Sequence, residues 1–221
     1  MVTFFVQSPT SPILIAPIVA VFRLLKYIFL QKKCNFRHRK YRYMEIEDKP
    51  AVLRFFELTN NFAGLDHVIE SINRLDAKNR LDELSENYLQ VLSGWGRAKV
   101  REVNIILECF GFMLIERGKV TSVNKFFNSN KIDDDEVFKI VKKHILADDK
   151  AIAVVKRLSN SIKVGSKLPG ERSLKKELSN DTDIGREKLR ETLLRLECGG
   201  FLLRKNQARR VLLKPLDELF R

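Results

Sequence analysis

Residues 96–114 read GRAKVREVNIILECFGFML, and residues 185–203 read GREKLRETLLRLECGGFLL. Aligned without a gap, 11 of these 19 positions are identical: Gly, Arg, Lys, Arg, Glu, Leu, Glu, Cys, Gly, Phe and Leu. Agreement of this density marks one supersecondary module used twice, and it governs how everything around it is read.

The second copy shows the design most clearly. Leu189, Leu193 and Leu196 recur at i, i+4 and i+7, an apolar stripe on a helix. That helix is expected to open after Asp181-Thr182-Asp183, which is good capping chemistry, and to close at Gly199-Gly200, where glycine takes the left-handed conformation. Its first turns carry Arg186, Lys188 and Arg190. Cations at a helix N-terminus oppose the helix dipole, so they are retained for something other than stability. Phe201 to Arg204 and Arg210 to Leu213 then read as two short strands around an Asn206-Gln207 turn. Upstream, Ala151 to Ile162 and Ser173 to Leu178 read as two further helices. Helix, helix, basic helix, hairpin is the order of a winged helix-turn-helix, whose third helix enters the major groove while the hairpin adds backbone contacts.

Ile162-x-x-Gly165-x-x-Leu168-Pro169-Gly170-Glu171-Arg172-x-Leu174, followed by Ile184-Gly185-Arg186-x-x-Leu189-Arg190-Glu191, Leu196-Glu197 and Gly200-Phe201-Leu202, resembles the GntR-type winged helix of bacterial transcriptional regulators. The resemblance covers residues 149–214, and Leu-Pro-x-Glu-Arg is its most specific element. It implies DNA contacts from Arg172, Arg186 and Arg190, with the wing from Arg204 to Arg210 reaching the adjacent groove. Three features depart from that pattern. The family carries its reading head ahead of a ligand-sensing domain, whereas here it is carboxy-terminal. The Leu178–Leu189 segment is about three residues longer than the family's tight turn. The wing tip, Asn206-Gln207-Ala208, lacks glycine.

The first copy keeps the third helix, with Gly96, Arg97, Lys99 and Arg101, and a wing of Phe112 to Ile115 around Arg117-Gly118 and Lys119. Where the second copy has its Leu-Pro-x-Glu-Arg element, the first has Asn79-Arg80-Leu81-Asp82-Glu83. Its cations Arg97, Lys99, Arg101, Arg117 and Lys119 form a second candidate surface for DNA or for a partner.

Charge separates the copies. The chain carries a net +13, yet residues 51–150 hold 15 basic and 16 acidic side chains while residues 151–221 hold 17 and 9. Affinity for nucleic acid scales with phosphates neutralised, so the second copy is the expected reader and the first the expected packing surface, with a second subunit as its partner. The DNA-facing set is then Arg172, Arg186, Lys188, Arg190, Arg204, Lys205, Arg209 and Arg210. Such modules commonly act as dimers on half-sites about one helical turn apart.

Residues 1–43 differ from the rest, with eight Lys/Arg and no acid. Pro12 to Phe22 is an unbroken apolar run of 11 residues, short of the roughly 20 a membrane span needs. The segment reads either as sequence upstream of a start at Met44 or as a membrane anchor followed by a basic cluster on the cytoplasmic side. The remainder divides into residues 44–127 (leading helices and first winged unit), 128–148 (a connecting helix), 149–215 (the second winged unit) and a tail, 216–221. Pro50 to Asn60 and Leu65 to Asp76 read as amphipathic helices, with Phe55, Phe56, Leu58 and Phe62 as core. Asp133-Asp134-Asp135-Glu136 sits at the favourable end of a third, which explains the acidic run without a metal.

Cys109 and Cys198 occupy the same place in the two repeats and read as small buried residues, neither a disulfide nor a metal pair. His38, His67 and His144 lack any zinc-like spacing, and no nucleotide-binding or hydrolase motif is present, so no cofactor, metal or catalysis is expected. The sequence thus predicts a mainly α protein with small β hairpins, tandem winged-helix units joined by helices. The function it points to is double-stranded DNA binding in the cytoplasm, as a transcriptional regulator. A replication initiator using both heads and a winged-helix scaffold for proteins are the rival readings.

Overall fold

In the computed structural model the described residues are 49–116, 119–124, 127–128, 131–179, 184–205 and 209–221. The amino-terminal segment, the Asp181-Thr182-Asp183 cap, the Arg117-Gly118 turn and the Asn206-Gln207 turn lie outside them. Among the described residues, eight α-helices and two antiparallel hairpins follow one another in a duplicated order. The first copy runs α1 (Ala51–Thr59), α2 (Leu65–Ala77), a 3-10 turn (Leu81–Glu83), α3 (Glu86–Ser93), α4 (Arg97–Cys109), β1 (Met113–Glu116) and β2 (Lys119–Val123). The second runs α5 (Asp134–Leu146), α6 (Asp149–Ser161), α7 (Glu171–Ser179), α8 (Arg186–Cys198), β3 (Leu202–Lys205), β4 (Arg209–Leu212) and a final 3-10 turn (Leu216–Phe220). The helix expected to connect the copies is therefore the opening helix of the second, matching α1 of the first.

Local chemistry explains most boundaries. Asp133 caps α5 by accepting from the Asp135 N–H, and Asp148 caps α6 by accepting from Lys150 and Ala151. The α8 helix begins later than its sequence suggested: Gly185 is the N-cap, with no side-chain cap, as Gly96 is for α4. Both third helices turn at a left-handed glycine, Gly111 at φ +75 and Gly200 at φ +76, directly before the hairpin. The second hairpin is shifted one residue from expectation, pairing Leu202 with Leu212 and Lys205 with Arg209. A Lys167–Val211 bridge adds the approach to α7 as a third strand on its edge.

Residues 46–221 pack as one unit, because the two copies share a core. The first copy buries Phe55, Ile72, Ile106, Leu107 and Phe112, and the second buries Leu158, Leu189, Leu193, Leu196 and Phe201. Between them α4 lies against α8. The ion pair Arg101–Glu187 (2.9 Å) is followed about two turns along both helices by Glu108–Arg195 (2.8 Å). Both members advance in the same direction, so α4 and α8 run parallel and nearly in register. The first copy, expected from its charge to be a packing surface, packs through α4 against the second copy of the same chain. A second tie is Arg54 of α1, almost fully buried, which donates to the Cys198 carbonyl (3.0 Å) and pairs with Asp134 of α5 (2.9 Å). Among the described residues no helix is long and apolar enough to cross a membrane.

Candidate nucleic-acid interface

The Leu-Pro-x-Glu-Arg element works as a clasp. Leu168 donates its N–H to the Arg210 carbonyl (2.8 Å), so the chain crosses the hairpin before Pro169-Gly170 releases it into α7. Glu171 is then the first residue of α7, where a carboxylate suits the helix dipole. Its oxygens accept from Arg190 of α8 (2.7 Å) and Arg210 of β4 (3.2 Å). One carboxylate thereby fixes the start of the second helix, the exposed side of the third and the base of the wing. Burial pushes the Glu171 carboxyl upward, but Arg190 and then Arg210 outweigh it and hold it below its ordinary value. Glu197, only 2 % exposed, binds Arg204 (2.8 Å) and Arg210 from beneath the same hairpin.

These contacts sort the sequence-derived candidates into two groups. Arg210 is 10 % exposed and held by two carboxylates, and Arg204 spans Glu197 and Glu102 of the first copy (3.4 Å). Lys188 is half-buried between Asp148 and Glu191. These three hold the fold together. Removing either partner of a buried pair strands a charge, so they are poor donors to an incoming phosphate. Arg190 is half exposed, and such surface pairs are worth about 0–1 kcal/mol, so it can exchange Glu171 for another anion. Arg172, Arg186 and Arg209 are exposed and, among the described residues, take no part in an ion pair. They stand at the start of α7, the start of α8 and the start of β4. The side chain of Lys205 falls outside the described residues.

The first copy makes a telling comparison. Its α3 also opens on an acid, Glu86, but this one accepts from both Arg97 (2.8 Å) and Arg101 (2.9 Å). Arg101 is further engaged by Glu187 of α8. Burial pushes the Glu86 carboxyl up, and the two arginines overcome it to hold it low. Arg97 is the counterpart of Arg186, so the same position carries a surface ion pair in one copy and, among the described residues, none in the other. Lys99 lies over the Phe62 ring at 5.7 Å, Lys119 is exposed at the start of β2, and Arg117 is outside the described residues.

Sequence reasoning missed the buried polar seam. Arg195 reaches from α8 to Glu108 (2.8 Å) and to the Cys109 sulfur (3.6 Å), and His144 approaches Glu108 from α5 (3.5 Å). The signal was available: an arginine in a run of Leu193, Leu194 and Leu196 has to be paired if it is buried. Cys109 and Cys198 are free and fully buried. The Cys198 thiol and the Arg195 charge hold the Cys109 thiol down, while burial pushes Cys198 well above the ordinary thiol value. A cleft of about 910 Å³ opens along this seam, but six arginines and six glutamates line it, so it offers no net attraction for an anion. No group of three or more potential metal ligands occurs among the described residues.

Fold and site together give a mainly helical, duplicated arrangement with two small hairpins, whose second copy presents Arg172, Arg186 and Arg209 with no ion pair among the described residues. No family model matches the chain, and neither does any curated protein or solved structure. The resemblance over residues 149–214 thus rests on its motif residues alone.

Proposed function

We propose that this chain is a double-stranded DNA-binding protein that regulates transcription, with the carboxy-terminal copy as its reader. The observation that carries the reading is that Arg172, Arg186 and Arg209 are exposed and take part in no ion pair among the described residues, whereas Arg97, the counterpart of Arg186, is bonded at the surface to Glu86. In this scheme Arg186 and Arg190, on the exposed first turns of α8, face base edges in the major groove. Arg172 and Arg209 hold the flanking phosphates and fix the register. Lys188, Arg204 and Arg210 position these elements without reaching DNA themselves, a narrower role than the sequence suggested for them. The second half of α8 takes no part, since Thr192 to Cys198 are all buried.

The test is a random-duplex binding selection with the full chain at near-physiological salt. Enrichment of a defined motif, relaxed by Arg186→Ala, is the expected result. Arg172→Ala and Arg209→Ala should instead weaken binding to all sequences alike and each lower the salt slope by about one. Weak binding without sequence preference, unaltered by Arg186→Ala, would overturn the proposal and leave a protein-binding scaffold as the better account.

A further inference from the structure

The packing of α4 on α8 limits how one chain can meet DNA. Tandem reading heads ordinarily address successive half-sites, which lie about 34 Å apart along one face of the duplex. Here the two third helices touch, and contacting helices have axes roughly 8–10 Å apart. Arg101 and Glu187, near the amino-terminal ends of the two helices, are themselves within 2.9 Å. Both ends therefore point the same way from nearly the same place. A major groove about 12 Å wide admits one helix and not two abreast.

We infer that one chain addresses a single major groove, with α8 entering it and the start of α4 lying on the phosphate strand alongside. This rests on the DNA-binding reading above and gives the first copy a role within it. Arg97 is the residue placed for that strand. Its side chain is 66 % exposed, and it lines the cleft edge shared with Glu187 and Arg190. Its surface bond to Glu86 is of the kind a phosphate readily replaces. The contact adds affinity and salt dependence but no sequence preference. Arg101 is held from two sides and stays with the protein.

Duplexes selected by the full chain provide the test, with chains per duplex counted by sedimentation. The expected outcome is one contiguous block of specified base pairs for each bound chain. Two blocks bound by two chains, one apiece, agree equally well. Arg97→Ala should then weaken binding to every duplex and lower the salt slope by about one, leaving the preferred sequence unchanged. Two specified blocks about ten base pairs apart bound by a single chain would overturn the inference while leaving DNA binding intact. An unchanged salt slope in Arg97→Ala would overturn the role given to the first copy. Failure of the native chain to select any duplex would remove both readings.

Discussion

The duplication supplies its own control for an energetic prediction at Gly111 and Gly200. Both glycines follow a third helix, and both are left-handed, at φ +75 and +76. An alanine in that conformation costs about 1–2 kcal/mol from its Cβ alone. At Gly111 a Cβ would find its nearest neighbours at 3.7 Å, ordinary contact, so the backbone cost is the whole cost. At Gly200 it would lie 3.1 Å from both Cζ and Nη1 of Arg54. That guanidinium is not a loose side-chain end, because it bonds the Cys198 carbonyl, the Lys49 carbonyl and Asp134. Moving it aside loosens at least one hydrogen bond from a charged donor, worth about 1.5–3 kcal/mol. Gly200→Ala should therefore exceed Gly111→Ala by about 2 kcal/mol, or roughly 4–8 °C in melting temperature for a unit of this size. Urea and thermal unfolding followed by circular dichroism would measure it, with Arg54→Met as the background that relieves the contact. In that background the Gly200→Ala cost should fall to that of Gly111→Ala. Equal losses in the native background, or a Gly200→Ala cost that Arg54→Met leaves unchanged, would refute the reasoning.

Two further outcomes are expected. Glu108→Ala takes the closer of two carboxylates from the buried Arg195, leaving Glu191 at 3.3 Å. It should cost about 3 kcal/mol, the low end for a buried pair, while Glu108→Leu combined with Arg195→Met should recover most of it; a double variant as unstable as the single would contradict this. His144 is held below its ordinary value of 6.5 by burial and then by the Arg195 guanidinium. A base whose folded value is depressed contributes stability that is fully present above pH 6.5 and lost as pH falls through the folded value. Melting temperature should thus begin to drop just below neutrality, ahead of the carboxylates Glu86, Asp148 and Glu171, which are also held low. His144→Gln should flatten that first decline, and a profile identical to the native one would exclude His144 as its source.

Much of this fold was legible because its signals are local. The apolar spacing of Leu189, Leu193 and Leu196, the Asp133 cap and the glycine before each hairpin depend on neighbours in sequence, and the structure carries them almost where expected. The α8 start was misplaced because Asp181 and Asp183 are capping residues by type, while glycine caps by conformation and leaves no side-chain signature. The candidate site was legible only as a set of basic residues. Whether an arginine is free or engaged depends on acids far away in sequence: Glu102 for Arg204, Asp148 for Lys188, and Glu197 with Glu171 for Arg210. Residue type placed those cations on the right elements but could not separate the ones that hold the protein together from the ones that face outward. The contact between the copies was invisible for the same reason, since a helix stripe does not say which stripe it will meet.

Arg54–Asp134 and His144–Glu108 cross between the copies, and so do three ion pairs made by α4 with α8 and β3, which can be compared through the repeat. Shifting each by the repeat offset gives its mirror image: Arg101–Glu187 would become Arg190 with Ala98, Arg195–Glu108 would become Ile106 with Glu197, and Arg204–Glu102 would become Ile115 with Glu191. Each mirror image lacks one charge, and the missing member always belongs to the first copy. The second copy holds both members of all three, in Arg190 and Glu187, Arg195 and Glu197, Arg204 and Glu191. The complementary charges of these three pairs thus lie together on α8 and β3 of the second copy. Within one molecule, α4 covers a stretch of α8 whose own charges are complementary to one another.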